Sequence, residues 1–258
     1  MVELKTPDEI EGMRAAGRVV AQTLETVRER AVAGVTLREL DGVAADVIAA
    51  AGAKPAFLHY RPETAPTPFT GAICASVNDA VVHGIPDDYA LRNGDLVSID
   101  TGAYLSGWCG DAAISFVIGE PRSVDAEDTA LIATTEEALA AGIEAARPGN
   151  RIGDIAHAVA SVARAAGYGI LADHGGHGIG RAVHEDPYVP NEGRVGRGMK
   201  LRPGMALAIE PMLIADGTDD YLHDPDGWTL RTVSGARAAH VEHTIAITDN
   251  GPRILTVV

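Results

Sequence analysis

Leu91-Arg-Asn-Gly-Asp-Leu-Val-Ser-Ile-Asp100 is an apolar segment that ends on an acid, and Leu201-Arg-Pro-Gly-Met-Ala-Leu-Ala-Ile-Glu210 resembles it. The match places Glu210 where the first copy has Asp100. Acids are almost never fully buried unless they are paired, so an acid that closes a buried strand indicates either a functional site or a partner such as arginine. The two segments are therefore interpreted as copies of one strand, each with a candidate functional carboxylate.

The same relation extends outward along the chain. Residues 110–116 match residues 241–247, so that Asp111 corresponds to Glu242. The matches occur in the same order in both halves, which predicts an internal repeat.

The predicted secondary structure also repeats, as two helices followed by strands. Thr6 and Thr36 each begin a capping box with a glutamate three residues later, and a proline-rich loop at 53–72 separates the first helices from the strands. The helices are predicted at residues 6–34, 36–52, 124–146 and 152–167, and the strands at 73–82, 95–103, 109–118, 172–184, 205–214 and 239–247. This order predicts an α+β fold.

Two of the acids are expected to meet across a hairpin. A turn centred at Leu105 and Ser106 would place Asp100 directly opposite Asp111 on the same face of the sheet. Opposed Cβ atoms in antiparallel strands lie about 4.5–5.5 Å apart, which is close enough for two carboxylates to share a metal ion.

A pseudo-two-fold axis between the halves would bring four carboxylates into one cavity, those of Asp100, Asp111, Glu210 and Glu242. Like charges in a site of low dielectric constant repel one another and raise one another's pKa values. Two divalent cations would balance the four negative charges, and a bridging hydroxide with one imidazole would complete their coordination. The four acids therefore predict a two-metal hydrolytic site.

A glycine-rich stretch at 173–187 supplies candidate histidines, namely His174, His177 and His184. It contains neither the Gly-x-Gly-x-x-Gly turn that binds dinucleotides nor the helical His-Glu-x-x-His of zinc peptidases. Its glycines predict an extended segment. Because glycine has no side chain, substrate and metal could approach the backbone of this segment closely. The alternative is a glycine loop with surface histidines. In the repeat, His184 corresponds to His83.

Composition limits the class of protein. The chain has 258 residues, 46% of them apolar, and a formal net charge of −15. These values predict an enzyme-sized globular protein for which nucleic acid and anionic membranes are poor partners. No signal-peptide core and no run of about eighteen apolar residues occurs, so we expect a soluble cytoplasmic protein. Two cysteines are too few for a disulfide framework.

Motifs spread over nearly the whole chain have counterparts in one known family. They are Gly-His177-Gly-Ile-Gly with His184-Glu, Asn78-Asp-Ala-Val-Val-His83, Ser-Ile-Asp100-Thr-Gly, Gly-Asp111, Ile-Glu210-Pro-Met and Val-Glu242-His-Thr. Together they resemble the methionine aminopeptidases of type I, in their short bacterial form. The resemblance implies a pita-bread fold, a pseudo-two-fold curved antiparallel sheet backed by two helix pairs. It also implies a single catalytic domain, 1–258, with halves of about 1–120 and 121–258.

The resemblance further implies a metallo-exopeptidase that hydrolyses the N-terminal methionine from peptides and nascent proteins whose second residue is small. Two divalent ions, of cobalt, iron, manganese or zinc, would be held by Asp100, Asp111, His177, Glu210 and Glu242. A water that bridges the ions would be the nucleophile and Glu210 the general base. His83 and His184 would be catalytic and substrate-binding residues that do not ligate metal.

The methionine pocket implied by the resemblance includes Phe69, Cys74 and Trp228. Val183 stands where an aromatic residue is commoner in the family, which is expected to widen the pocket. The loop at 59–68 differs from the family's glycine- and tyrosine-rich loop. The resemblance therefore implies no pocket contacts for the residues of this loop.

The remaining histidines near these motifs have no implied chemistry. His174 matches no ligand position. His240 and His243 flank Glu242 on a predicted strand and are expected to face away from it.

Other functions stay open at this stage. An X-prolyl aminopeptidase or prolidase shares the metal centre but usually carries an additional N-terminal domain. A second alternative is a non-catalytic binding relative, which would be expected to have lost ligands, whereas all five are present. A third is a structural metal protein, in which the two additional histidines would serve no purpose. The expected partners are peptide or nascent-chain N-termini and, transiently, the ribosome, and the expected state is a monomer.

Overall fold

The structure is a computed structural model that describes residues 2–63, 65–119 and 125–258. Its helices are α1 (Pro7–Arg30), α2 (Leu37–Ala50), α3 (Ala126–Ala145) and α4 (Ile152–Ala165). Its strands are β1 (Lys54–Pro55), β2 (Cys74–Val77), β3 (Ala80–Val82), β4 (Leu96–Leu105), β5 (Trp108–Val117), β6 (Gly169–Ile170), β7 (Gly175–Gly178), β8 (Glu185–Pro190), β9 (Ala206–Ile209), β10 (Met212–Ile214), β11 (Tyr221–His223), β12 (Leu230–Thr232), β13 (Ala238–His240), β14 (Glu242–Thr248) and β15 (Gly251–Ile254).

Both predicted capping boxes begin a helix. At α1, the Thr6 backbone N–H donates to Glu9 Oε2 at 2.9 Å and the Glu9 backbone N–H donates to Thr6 Oγ1 at 3.4 Å. Thr36 and Glu39 make the same pair of hydrogen bonds before α2. These bonds satisfy N–H groups that a helix start would otherwise leave free. The predicted start of the third helix at Val124 lies outside the described residues.

The described strands form a curled antiparallel sheet with two small sheets beside it. The main sheet has nine strands in the order β1-β4-β5-β14-β9-β7-β8, with β2 beside β4 and β15 beside β14. The small sheets have the orders β13-β10-β6 and β11-β12-β3. Strands of the two sequence halves meet where β5 pairs with β14. The predicted α+β class is confirmed.

Several predicted strands are shorter than expected, for local reasons. Asn78 has a positive φ of 59° and forms the turn that separates β2 from β3. Pro211 follows Glu210 between β9 and β10, and a proline cannot donate a ladder hydrogen bond. In the glycine-rich stretch only residues 175–178 form a strand before β8.

The hairpin of β4 and β5 is centred one residue later than predicted. Ser106 and Gly107 form its turn, with positive φ values of 51° and 80°, the conformation that favours glycine and suits a two-residue hairpin. Leu105 therefore pairs with Trp108. Asp111 is paired with Gly102 rather than with Asp100, so the predicted direct opposition is wrong. A shift of two residues keeps both acids on one face, as diagonal neighbours.

Each helix pair covers an apolar core. The helix α1 packs on α2, β4 and β5, and α3 packs on α4 and on strands of the main sheet. The core under α1 and α2 includes Val20, Leu24, Leu40, Ile48, Val97 and Ile99. The core under α3 and α4 includes Leu139, Ile155, Val159, Leu207, Ile209 and Ile245. In the part of the chain that the structure describes, no helix has the length and apolarity needed to cross a membrane.

Candidate active site

Four neighbouring strands bring the four predicted carboxylates together. Ala113 on the central strand β5 pairs with Asp100 of β4 on one side and with Glu242 of β14 on the other. Asp111 lies two residues before Ala113 and so shares its face of the sheet. Glu210 directly follows β9, the next strand in the sheet. The acids therefore form a row that crosses from one half of the chain to the other.

These carboxylates are crowded and poorly hydrated. Burial raises the pKa of Asp111 to about 7. Burial and the neighbouring carboxylates raise the pKa values of Asp100, Glu210 and Glu242 well above their usual range. Among the described residues, Asp100 Oδ1, Asp111 Oδ1 and Glu242 Oε1 are buried oxygens without a hydrogen-bond partner. Such oxygens need a cation or a proton.

His177 faces the acids from β7 with its Nε2 atom. Its Nε2 lies 3.5 Å from Glu210 Oε1 and 3.9 Å from Asp111 Oδ2. Its Nδ1 lies 2.9 Å from the carbonyl oxygen of Gly178, which makes Nδ1–H the donor and leaves the Nε2 lone pair toward the acids. Burial, followed by the nearby His184, lowers the pKa of His177 to about 3. A neutral imidazole with this tautomer suits metal binding.

The glycines beside His177 serve close packing of the backbone. A Cβ atom on Gly176 would lie 2.1 Å from the carbonyl oxygen of Ala208, and one on Gly178 would lie 2.0 Å from that of Asp186. The prediction that these glycines admit substrate and metal is therefore wrong. They allow β7 to fit between its neighbouring segments, and this packing places His177.

His83 and His184 border the same cavity from different elements. The His184 ring centroid lies 4.3 Å from that of His177 and 5.0 Å from that of Tyr60. His83 directly follows β3, has a positive φ of 60°, and lies 6.4 Å from the Trp228 ring. Burial lowers the pKa of His184, and burial with its neighbouring histidines lowers that of His83 to about 4. Both imidazoles are therefore neutral near pH 7.

His240 has an orientation that the sequence analysis did not expect. Its Nε2 points toward the acids and lies 3.6 Å from Glu210 Oε2, so the expectation that it faces away from them is wrong. Side chains two apart share one side of an extended segment, and His240 lies two residues before Glu242. His243, one residue after Glu242, does turn away, with its Nδ1 2.9 Å from Thr256 Oγ1.

The cavity in front of the acids has a volume of about 190 Å³ and is lined by apolar side chains as well as by the acids and histidines. It is lined by all ten predicted site residues, namely Phe69, Cys74, His83, Asp100, Asp111, His177, His184, Glu210, Trp228 and Glu242. Phe57, Tyr60 and Pro62 also line it and were not predicted from the sequence. Their signal is the presence of aromatic residues in an otherwise polar, proline-rich loop. Val183 is buried beside the cavity and does not line it.

Comparison with known proteins places this site in a family. The model of metallopeptidase family M24 matches residues 11–249. The chain belongs to metallopeptidase family M24. Among its M24 relatives, "Methionine aminopeptidase 1" of Mycobacterium tuberculosis is 48% identical over 100% of this chain and 96% of its own length. "Methionine aminopeptidase 1" of Bacillus subtilis is 42% identical over 99% of both chains.

Solved M24 structures show the same fold. A methionine aminopeptidase from Thermotoga maritima superposes with a TM-score of 0.94 and 41% identity over 100% of both chains. A prolidase from Pyrococcus furiosus gives a TM-score of 0.77 at 24% identity, and the match covers 99% of this chain but 65% of the prolidase. The curled sheet with its helix pairs is the pita-bread fold, which confirms the fold predicted from the sequence.

Proposed function

We propose that this M24 metallopeptidase is a methionyl aminopeptidase. It removes the N-terminal methionine from peptides and nascent proteins whose second residue is small. One observation carries the proposal: the acids and His177 line a small cavity that is also lined by aromatic and other apolar side chains. Relatives named methionine aminopeptidase match the chain along its whole length, which supports the same substrate.

The donor set fits two divalent cations. Asp100, Asp111, His177, Glu210 and Glu242 would hold them, because four carboxylates balance two divalent charges and three of the acids have buried oxygens without a partner. Carboxylate and imidazole ligands accept cobalt, iron, manganese and zinc, so the donor set does not select one metal. When bound, the metal pair supplies an acidified water and polarises the scissile carbonyl.

The protein's own groups would then handle protons and orientation. Glu210, whose side chain retains 13% exposure, reaches the cavity and serves as the base that takes a proton from water and passes it to the leaving amine. His184 donates an N–H to the scissile carbonyl oxygen, where negative charge develops. His83, on another side of the cavity, assists at the scissile nitrogen.

The apolar side chains that line the cavity would hold the methionine side chain. Phe69 lies between Phe57 and Trp228, at centroid distances of 6.5 and 5.1 Å. Trp228 is fixed because its indole N–H donates to the carbonyl oxygen of Thr67 at 3.1 Å. Cys74 completes the lining, and burial raises the pKa of its thiol well above the usual value, so the thiol stays neutral.

The proposal is tested by a peptide panel with metal-reconstituted protein. Methionyl peptides whose second residue is alanine or glycine are expected to release methionine. Methionyl peptides whose second residue is leucine are expected to release little, and a chelator is expected to stop the reaction. Glu144→Gln, on the exposed outer surface, is a control expected to match the wild type. Release from Xaa-Pro peptides alone, or no hydrolysis with any of the four metals, would refute the proposal. Cytoplasmic location and ribosome contact stay predictions.

A further inference from the structure

His240 is a buried polar side chain without a role in the reaction above. Its relative exposure is 2%. Its Nε2 has no hydrogen-bond partner among the described residues. A buried polar nitrogen without a partner is costly, so a side chain aimed at a carboxylate calls for a functional explanation.

The closest acid to this nitrogen is Glu210, which lies between two imidazoles. His177 Nε2 is 3.5 Å from Glu210 Oε1, and His240 Nε2 is 3.6 Å from Glu210 Oε2. His177 donates from Nδ1 to a carbonyl, so its Nε2 carries a lone pair and does not donate to Glu210. His240 is therefore the imidazole that can give Glu210 a hydrogen bond.

The backbone of His240 is held in place by two buried serines. The His240 N–H lies 3.0 Å from Ser115 Oγ and 3.3 Å from Ser98 Oγ, and the Ser115 hydroxyl donates to the His240 carbonyl at 2.8 Å. His240 also pairs with Met212, two residues after Glu210, between β13 and β10. These contacts fix the base of the imidazole relative to Glu210.

We propose that His240 is a positioning residue whose Nε2–H, 3.6 Å from Glu210 Oε2 in this structure, donates to that oxygen when the metal site is loaded. This bond holds the carboxylate so that Oε1 stays beside His177, where the proposed metal site lies. This proposal rests on the proposed function, which makes Glu210 a metal ligand and the general base. The effect of His240 on metal affinity can nevertheless be measured without any peptide. The competing role is that of a ligand, because His240, Glu210 and Glu242 themselves have ligand atoms within 4.8 Å of one another.

The test compares His240→Leu, which removes the donor, with His240→Gln, which restores one. Calorimetric titration of Mn²⁺ into chelator-treated protein measures stoichiometry and affinity. His240→Leu is expected to keep the wild-type stoichiometry and to lose about 10- to 100-fold in affinity or in kcat, the usual effect of an outer-shell hydrogen bond. His240→Gln is expected to recover most of the loss. His243→Leu, on the same segment but turned away, is the matched control and is expected to leave affinity unchanged.

A double variant tests whether His240 acts through Glu210. In a Glu210→Ala background, His240→Leu is expected to have little further effect on affinity or kcat, because the acceptor is already absent. Reduced stoichiometry in His240→Leu would identify a ligand and overturn the proposal. Unchanged affinity and kcat in His240→Leu, or no recovery in His240→Gln, would overturn it as well. Wild-type protein that binds Mn²⁺ but hydrolyses no methionyl peptide would refute the proposed function alone.

Discussion

Asp111 is the acid on which the charge balance of the site depends. It lies at the centre of the carboxylate row, is 2% exposed, and has a pKa raised by burial to about 7. Burial, and after it repulsion from Asp111 and Glu210, raises the pKa values of Glu242 and Asp100 well above their usual range. At neutral pH the metal-free site therefore retains protons that a cation must displace.

Metal affinity is expected to rise with pH. Below pH 7 Asp111 is protonated and competes with the metal, and above pH 7 this competition falls away. Calorimetric titrations of Mn²⁺ between pH 6 and 8, repeated in buffers of different ionisation enthalpy, should show a rising affinity and a release of protons on binding. A constant affinity without proton release would contradict the raised pKa values.

Loss of the His184 imidazole should affect turnover and spare the metal. His184→Ala is expected to lower kcat by about 10²- to 10³-fold, because a donor to the developing oxyanion is lost. Elemental analysis should find the wild-type metal content. His157→Ala, on the exposed face of α4, is the control. Loss of metal from His184→Ala would mean that His184 is a ligand.

At the scale of the element, β7 shows how packing places a functional side chain. It presents His177 to the acids while its glycines fit against the backbone of the adjacent segments. The sequence indicated an extended, glycine-rich segment, but it did not show that the close neighbours are protein rather than substrate. Close approach of two backbones depends on the partners' positions, which no local pattern contains.

Added bulk in β7 should disturb the site from a distance. Gly176→Ala places a Cβ atom 2.1 Å from a backbone oxygen and is expected to cost about 1–3 kcal/mol of the free energy of unfolding, with weaker Mn²⁺ binding because His177 moves. Gly42→Ala, a helical position with nothing within 4 Å, is the control and should be neutral or stabilising. Equal behaviour of the two variants in urea unfolding would count against this role for Gly176.

The hairpin of β4 and β5 shows which part of a register can be predicted. Alternation fixes the face of Asp100 and Asp111, because side chains two apart share a side. The predicted turn, centred at Leu105 and Ser106, was wrong by one residue because Ser106 and Gly107 are the two residues that adopt a positive φ. Asp100 and Asp111 still share one face of the sheet after this correction. The predicted convergence of the acids was therefore correct, although the predicted direct opposition of these two was not.

At the scale of the whole molecule, the site belongs to both halves of the repeat. Asp100, Asp111 and His83 come from the first half, and His177, Glu210 and Glu242 from the second, with the halves joined where β5 pairs with β14. We propose that the chain is a single domain, because neither half holds the complete acid row. The repeat made the fold and the acids predictable from the sequence. The loop that contains Phe57, Tyr60 and Pro62 lies outside the matched segments of the repeat, and so does His240. The cavity contacts of the loop were therefore not predicted, and the orientation of His240 was predicted wrongly.

The central claim is that this shared row of acids, together with His177, holds a pair of divalent ions. Anomalous scattering from a crystal grown with Mn²⁺, collected on both sides of the manganese absorption edge, tests this claim directly. We predict two manganese peaks among Asp100, Asp111, His177, Glu210 and Glu242. A single manganese peak at a saturating Mn²⁺ concentration, or manganese peaks only outside these five residues, would contradict it.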